Sequence, residues 1–266
     1  METSVKTDVT IIGAGHMGTA LAEGFLRSKI SVVMSTPHPG KVNASLKKRA
    51  MVMSDNVKAV SKADVLILAV KPALLPQVLA EIRDASQGKV LVSVAAGVSR
   101  ASLKKAIGKG IRAARIMPNL PVALGDGVVG FFPGDVTNSE KRKLMTLFES
   151  LGSVVSVSKE KELDALTLIS GCGPGIVAHL VGLFAAEARA RGFSEKQAEE
   201  IALHTFSGTL AHLKAGNISP LALEKAVATT GGVTESILNA LKQNGFDRGF
   251  TSAMKTGMKR IRRIKG

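Results

Sequence analysis

The amino-acid sequence predicts an α/β N-terminal domain with a Rossmann-like doubly wound sheet, followed by an all-α C-terminal dimerisation domain. Short β-rich runs alternate with amphipathic helical segments as far as Val157, after which the β pattern disappears. The glycine motif Gly13–Gly18 (G-A-G-H-M-G) stands between the first predicted strand and the first predicted helix. The domains are therefore predicted at residues 1–158 and 159–266.

The predicted strands are short, apolar and rich in β-branched residues. Val65–Val70 is apolar without alternation, as expected for a parallel strand that is covered on both faces. The six predicted strands are Asp8–Ile12, Ser31–Ser35, Val65–Val70, Val90–Val94, Ile111–Ile116 and Val128–Phe132. In a sheet of this class the ligand binds at the carboxyl ends of the strands.

Helices are predicted where apolar residues recur at helical spacing. Leu163–Gly192 predicts a long alanine-rich helix that is broken at Gly171–Gly175, and Ser194 with Gln197 forms a capping-box signal for the next helix. Because the stretch Leu180–Ala186 has almost no polar face, we expect homo-oligomerisation through this half. The other predicted helices are Met17–Arg27, Ala73–Arg83, Ser99–Ile107, Ser139–Leu151, a short one after Ser219-Pro220, Val233–Asn244 and Asp247–Lys265.

The amino-acid composition limits the classes of function that this protein can have. Apolar residues make up 45% of the 266 residues, which predicts a packed interior, whereas 3% aromatic residues argue against stacking platforms for single-stranded nucleic acid. Cys172 is the single cysteine, which excludes an intrachain disulfide and favours a cytoplasmic location. We expect no signal peptide and no membrane span, because the longest apolar candidate, Ile176–Ala186, is too short.

The net charge of +15 is concentrated in part at the C-terminal end. Residues 247–266 hold seven basic residues and one acidic residue. This excess favours anionic cofactors and carboxylate substrates. Binding to nucleic acid or to an anionic membrane is the alternative, and the lack of interleaved aromatic residues argues against nucleic acid.

The first glycine motif predicts a dinucleotide site, since a strand, a glycine turn and a helix bring backbone N–H groups to a pyrophosphate. An NAD-selective site would carry Asp or Glu about 20 residues beyond the first glycine. Here the stretch from Met34 to Lys41 has no carboxylate, and the hydroxyls of Ser35 and Thr36 with Lys41 suit a 2′-phosphate. The sequence predicts NADPH, with NADH as the alternative.

Two later glycine-rich segments, Ser170–Gly175 and Thr229–Thr234, predict a site for a small anionic substrate. Glycine turns that lead into helices can hold a carboxylate with backbone N–H groups, although close helix packing is the alternative. Thr234 either points its hydroxyl into this pocket or acts as a helix N-cap. Cys172 is interpreted as a small buried filler, and His179, His204 and His212 lack metal-ligand spacing, so we expect no metal.

Arg115–Pro121 (R-I-M-P-N-L-P) makes the pattern specific, and together with the two glycine-rich segments it resembles the pyrroline-5-carboxylate reductase family. The other segments that carry the resemblance are Ala69–Pro72, Ala95–Gly97 and Asp164–Thr167. The resemblance implies reduction of the cyclic imine Δ1-pyrroline-5-carboxylate to L-proline by NAD(P)H. It also implies a dimer formed by the helical domain, often assembled further into a decamer.

The chain departs from the family pattern at four positions. His16 replaces a usual Asn, Cys172 a Ser, Gly175 an Ala, and Thr230 a Pro. Three of these changes fall in the substrate half, so reduction of a related cyclic imine carboxylate is an alternative.

The predicted site has a cofactor part and a substrate part. Thr234 is assigned to orient the imine nitrogen during hydride transfer. Substrate binding is assigned to Gly173, Gly175, Gly231, Gly232 and Thr229. Cofactor binding is assigned to Gly13, Gly15, His16, Met17, Gly18, Ser35, Thr36, Lys41, Asn56, Ala69, Val70, Lys71, Pro72, Ala95, Gly97, Met117 and Asn119.

Two other functions compete with this interpretation. The β-hydroxyacid dehydrogenases share the N-terminal fingerprint, but they carry a catalytic lysine shortly after the helical glycine motif, and Ile176–Gly182 has none. A non-catalytic NADP-binding regulatory protein is the second alternative, which would leave the substrate-side glycines without a role.

Overall fold

The computed structural model describes residues 7–264. The N-terminal stretch for which no signal peptide is predicted lies largely outside the described residues, as does Lys265 at the end of the last predicted helix. Eight strands form one sheet in the order β3-β2-β1-β4-β5-β6-β7-β8. The strands are β1 Val9–Ile12, β2 Val32–Ser35, β3 Met51–Met53, β4 Val65–Leu68, β5 Val90–Ser93, β6 Arg112–Pro118, β7 Gly127–Phe132 and β8 Gly152–Ser156.

The first six strands are all parallel, in the order 3-2-1-4-5-6 that defines a dinucleotide-binding sheet. The predicted Rossmann-like fold is therefore confirmed. At the far edge β7 runs antiparallel to β6, and β8 runs parallel to β7. Strands β3 and β8 were not predicted, because both are short edge strands whose residues are mostly half-buried or exposed.

Helices flank the sheet and then make up the rest of the chain. The α-helices are α1 His16–Arg27, α2 Ala44–Lys47, α3 Asn56–Val60, α4 Leu75–Ile82, α5 Arg100–Ile107, α6 Asn138–Glu149, α7 Glu162–Leu166, α8 Gly173–Ala190, α9 Glu195–Gly216, α10 Pro220–Val227, α11 Val233–Gln243 and α12 Phe246–Ile264. Helices α6 and α9 both begin with complete capping boxes, so the Ser194–Gln197 prediction is confirmed.

The sheet has a separate apolar core on each face, because successive side chains of a strand point to opposite sides. On one face Ile67 belongs to a cluster that includes Phe131 and Phe148, whose rings meet edge-to-face at 5.3 Å between centroids. On the other face Leu66 and Leu68 belong to a second cluster with residues of α4 and α5. These two cores fix the carboxyl edge of the sheet from both sides.

Asp135 ties the start of β6 to α5. Its carboxylate accepts a hydrogen bond from the N–H of Ala113 at 2.7 Å and pairs with Lys104 at 2.8 Å and Arg100 at 3.5 Å. Burial raises the pKa of Asp135, but these hydrogen bonds and charges outweigh burial and hold the pKa below its ordinary value of 3.8. The carboxylate therefore stabilises this corner above pH 3.8 and loses that effect as the pH falls below its lowered pKa.

The chain divides into two compact units, of which the second comprises Gly175–Lys259. The first unit extends to Pro174, beyond the predicted boundary at 158, because α7 packs on the sheet. There Leu166 lies so near Gly130 that a Cβ at Gly130 would come within 2.6 Å of its Cδ1. Helix α7 therefore belongs structurally with the sheet.

The second unit has a very small apolar core of its own. Its buried cluster, among the described residues, consists of Ala185, Ala198 and Ala202. Larger apolar side chains are exposed instead, including Phe184, Leu203 and Ile237. A helical unit that exposes so much apolar surface is typical of an association interface.

One helix is long and apolar enough to span a membrane by length and composition, although Gly and polar residues interrupt its apolar sequence. Glu162–Ala190 forms a 29-residue helix with a mean hydropathy of 1.7 in its most apolar window, of which 6% is buried. This helix reaches 29 residues because the glycine-rich segment Ser170–Gly175 interrupts its α-helical pattern without ending the helix. By itself one such helix is weak evidence for a membrane span.

Candidate functional site

The turn between β1 and α1 is built by three glycines with different roles. Gly13 has a φ of +110°, and a Cβ there would lie 2.5 Å from the carbonyl oxygen of Ala69. A Cβ at Gly18 would overlap the carbonyl oxygen of Gly13, whereas a Cβ at Gly15 would meet nothing within 4 Å. The first glycine thus makes the turn, the third packs the helix, and the second leaves room for a ligand.

Helix α1 begins at Gly15 with no side-chain cap, so the turn presents uncapped backbone N–H groups. Side chains cap several other helices, for instance Ser99 at α5 and Thr137 at α6. A helix N-terminus with uncapped N–H groups beside open space fits an anionic group such as a pyrophosphate. The structure therefore supports the interpretation of this motif as a phosphate cradle.

Two adjoining cavities lie at the carboxyl ends of the strands. The larger, about 800 Å³, is bounded by the Gly15 turn, by the loop after β4, by Ala95 and Ala96 after β5, and by Met117 on β6. The smaller, about 370 Å³, shares Gly15 and the loop after β4 and extends to the loop after β2. Together they form a groove across β1, where the strand order reverses and open α/β sheets bind ligands.

Most of the predicted cofactor residues line this groove. Among residues 7–264, no acidic residue lines the smaller cavity, whereas Thr36, His38 and Lys41 do line it. The predicted residues that line one or both cavities are Gly13, Gly15, His16, Met17, Thr36, Lys41, Ala69, Val70, Lys71, Pro72, Ala95 and Met117. The predicted residues that line neither are Gly18, Ser35, Asn56, Gly97 and Asn119.

Ser35 and Asn56 hydrogen-bond to each other away from the groove. Ser35 is fully buried, and its hydroxyl donates to Oδ1 of Asn56 at 2.7 Å. Asn56 in turn donates to Glu81 at 2.8 Å. Because Ser35 is the last residue of β2, strand alternation turns its side chain into the protein, and Thr36 lines the cavity instead.

Asn119 and Gly97 shape the loops at the larger cavity. Oδ1 of Asn119 accepts from the N–H of Val128 at 2.8 Å, which anchors the loop after β6 to β7. Gly97 has a φ of +77° in the loop after β5, a left-handed conformation that favours glycine. Both residues therefore act on the walls of the cavity and not as its lining.

Arg115 supports the same wall and was not predicted as a site residue. It is 2% exposed, and its guanidinium donates to the carbonyl oxygen of Ala95 at 3.1 Å and to Glu160 at 2.9 Å. Glu160 also accepts from the N–H of Arg100 at 2.6 Å, at the start of α5. The available signal was an arginine in the middle of a predicted strand, where a buried charge requires a partner.

Near the predicted break at Gly171–Gly175 the α-helical pattern is interrupted, although the helix as a whole runs from Glu162 to Ala190. A π-helical turn spans Thr167–Gly171, and α8 begins at Gly173. Pro174 is the second residue of α8, in the first helical turn, where a missing N–H is tolerated. Gly173 and Gly175 thus lie in the first turn of α8, and Cys172 is exposed, not buried as predicted.

Thr229–Thr234 forms a turn that leads into α11. Gly231 has a φ of +74°, and the N–H of Gly232 donates to the carbonyl oxygen of Thr229 at 2.9 Å. Gly232 is the N-cap, and Thr234 is the second residue of α11, so the alternative that Thr234 is the N-cap is wrong. The structure therefore brings Thr229, Gly231 and Gly232 into one turn directly before Thr234.

Glu235 is a further member of this turn that the sequence analysis missed. Its carboxylate accepts from the N–H of Gly231 at 2.7 Å. The Gly231 amide, which the sequence assigns to a substrate carboxylate, thus already donates to a carboxylate of the same chain. In the part of the chain from 7 to 264, no group of three or more His, Cys, Asp or Glu side chains could hold a metal ion.

Comparisons with known proteins cover both units. The family model described as pyrroline-5-carboxylate reductase dimerisation matches residues 160–264, and a model described as NADP oxidoreductase, coenzyme F420-dependent, matches residues 8–97. The chain is 32% identical to a pyrroline-5-carboxylate reductase of Aquifex aeolicus over 241 residues, 90% of each chain. It is 29% identical to pyrroline-5-carboxylate reductase 3 of Danio rerio, over 96% of this chain and 91% of that one.

Solved structures agree with the fold along the whole chain. A pyrroline-5-carboxylate reductase from Coxiella burnetii superposes with a TM-score of 0.88 at 24% identity, covering 98% of this chain and 99% of that one. The Plasmodium falciparum pyrroline carboxylate reductase with NADP bound gives a TM-score of 0.86 at 24% identity and the same coverage. With 32% identity to a member over nine-tenths of both sequences, this chain belongs to the pyrroline-5-carboxylate reductase family.

Proposed function

We propose that this protein is a pyrroline-5-carboxylate reductase, an oxidoreductase that acts on a C=N bond in proline biosynthesis. It reduces the cyclic imine Δ1-pyrroline-5-carboxylate to L-proline with hydride from NADPH. The observation that carries the proposal is the membership of the whole chain in this family, including its sheet and its helical half. The glycine cradle at Gly15 and the Thr229–Thr234 turn support it from the structure.

The groove along the carboxyl edge of the sheet is the proposed cofactor site. Gly15 and the start of α1 would hold the pyrophosphate, and Thr36, His38 and Lys41 would contact a 2′-phosphate in the smaller cavity. A carboxylate there would repel that phosphate, and the lining contains none. NADP in the Plasmodium falciparum relative supports the same choice, with NADH as the weaker alternative.

The helical half is the proposed substrate side. The N–H groups of Gly173, Gly175 and Gly231 and the hydroxyl of Thr229 would hold the substrate carboxylate, and Gly232, whose own N–H donates to Thr229, would complete the turn. The hydroxyl of Thr234 would hydrogen-bond the imine nitrogen and orient the C=N carbon towards the hydride donor. Thr234 is too weak an acid to supply the proton at neutral pH, so the substrate binds as the protonated iminium or receives its proton from water.

The functional domains are proposed at residues 1–158 and 159–266, supported by the family match that begins at residue 160. The helical domain would form a homodimer, with a decamer as a higher assembly. The exposed apolar helices and the dimerisation model that matches them support this proposal. We propose a cytoplasmic location, for which the single cysteine is the support, and no role in binding nucleic acid.

The glycine cradle predicts two different consequences of the same substitution. Gly15→Ala leaves the fold intact, since its Cβ enters open space, but it raises the Kd for NADPH about tenfold or more by crowding the phosphate. Gly18→Ala lowers the Tm by several degrees, since its Cβ overlaps the Gly13 carbonyl. Fluorescence titration of NADPH and thermal melting check both; equal Tm values for the two variants would contradict the assignment.

Lys41→Ala is expected to raise the KM for NADPH about fivefold or more while leaving the KM for NADH within about twofold, because one charge on the 2′-phosphate is lost. Lys47→Ala, an exposed lysine on α2, is the control for a general loss of positive charge. Steady-state kinetics with both cofactors measure the effect. Parallel changes in the two KM values would remove Lys41 from the 2′-phosphate site.

Thr234→Ala is expected to lower kcat about 100-fold, at the lower end for a proton-handling group, and to leave NADPH affinity nearly unchanged. Oxidation of NADPH in the presence of Δ1-pyrroline-5-carboxylate is the assay, and it also tests the proposed function. No turnover by the wild-type protein would refute that function. A wild-type rate in the variant would mean that Thr234 does not act on the substrate.

The helical domain is expected to be dimeric or larger at micromolar concentration, because its exposed apolar helices need a partner. Light scattering on the full-length protein measures the mass. Leu203→Glu, at an exposed position of α9, should shift the mass towards the monomer, whereas Glu199→Gln on the same helix should not. A fully active wild-type monomer would contradict both the interface and its role in the reaction.

A further inference from the structure

Glu235 places a carboxylate on the substrate-side turn. Its Oε2 accepts a hydrogen bond from the backbone N–H of Gly231 at 2.7 Å, and Gly231 has a left-handed φ of +74° in the turn before α11. A backbone N–H carries one hydrogen, and here that hydrogen is donated to a charged acceptor of the same chain. A substrate carboxylate can take this donor only if Glu235 releases it.

The contact is different from the capping boxes elsewhere in this protein. In α6 the side chain of Glu140 accepts from the backbone of Thr137, the N-cap three residues before it, and the Thr137 side chain caps in return. In α11 the N-cap Gly232 has no side chain to reciprocate, and its N–H donates to Thr229. Glu235 reaches one residue further, to Gly231. Helix α11 therefore begins without a side-chain cap, and Glu235 binds the turn before the helix.

The geometry also allows Glu235 to leave. Gly231 is exposed and Glu235 is half-buried, so the side chain can rotate towards solvent without opening a packed core. A second carboxylate that approached Gly231 while Glu235 remained would meet a like charge within hydrogen-bonding range of the same nitrogen. An anionic substrate and the Glu235 carboxylate therefore compete for the same N–H group of Gly231.

We propose that Glu235 is a specificity-determining residue, an internal carboxylate that competes with the substrate carboxylate for the N–H of Gly231. Glu235 lowers the affinity for cyclic imines that carry a carboxylate and leaves the affinity for those that lack one unaffected. The inference rests on the proposed function, because it takes the Thr229–Thr234 turn as the carboxylate site.

The test compares two substrates in the full-length protein with NADPH: Δ1-pyrroline-5-carboxylate and 1-pyrroline, which has the same ring without the carboxylate. Glu235→Gln keeps a neutral acceptor for Gly231 and removes the charge. We expect it to lower the KM for the carboxylated imine about fivefold and to change the KM for 1-pyrroline less than about twofold. Glu200→Gln, on the exposed face of α9, is the control and should change neither KM.

A second variant separates specificity from folding. Glu235→Ala should shift the KM ratio in the same direction, and both variants should keep the Tm of the wild type, because the exposed Gly231 N–H can donate to water instead. A rise or no change in the KM for the carboxylated imine in Glu235→Gln, or an equal change for both imines, would overturn the proposal.

A binding measurement keeps this test independent of catalysis. Cyclopentanecarboxylate has the ring size and the carboxylate of the substrate without its nitrogen, so its Kd reports the carboxylate site alone. Calorimetry should show tighter binding to Glu235→Gln than to the wild type; equal binding overturns the proposal. Absence of wild-type turnover with Δ1-pyrroline-5-carboxylate would instead refute the proposed function and leave this binding comparison to decide the role of Glu235.

Discussion

The close packing of the Gly13–Gly18 turn against the end of β4 is the constraint on which the rest of the sheet domain depends. Gly13 touches the backbone of Ala69, and Gly18 touches Gly13, so strand, turn and helix leave no room for a Cβ at either position. This packing brings the loop after β4 to the centre of the carboxyl edge, where it forms a wall of both cavities. The opening at Gly15 exists because the chain on either side of it is held so tightly.

The sequence patterns predicted the central strands well, because a strand covered on both faces must be apolar throughout. They missed β3 and β8, whose half-exposed residues carry no such signal, and they could not show that β7 runs antiparallel. The sequence patterns also did not predict the direction of side chains. Ser35 and Thr36 are adjacent residues with hydroxyl groups, but strand alternation buries Ser35 and leaves Thr36 at the cavity. Arg115 has its function through partners at Ala95 and Glu160, which are distant in sequence.

The helical half illustrates a different limit. The glycines in its sequence resemble turns, but here a π-helical turn leads into α8 and the helix continues. Its buried cluster of three alanines is too small to stabilise a domain alone, because burial of apolar area is the main favourable term in folding. The apolar character of Glu162–Ala190, which resembles a membrane span by length and composition, is equally suited to a protein interface. Sequence and single-chain structure both point to burial against a partner, and the match to a dimerisation family model supports oligomerisation.

Helices α1 and α11 each have a glycine N-cap, but their turns differ in what they offer to an anion. Both lack a side-chain cap, and both follow glycine-rich sequences that predict anion binding. At Gly15 the space is open, so the helix end is free for a phosphate. At Gly231 the backbone N–H already donates to the carboxylate of Glu235, although basic residues outnumber acidic ones in this chain. Glycine spacing predicts where backbone donors can be reached. Whether the Gly231 N–H is free to bind a ligand depends on Glu235, which lies one helical turn later. A motif that is defined by its glycines does not include that residue.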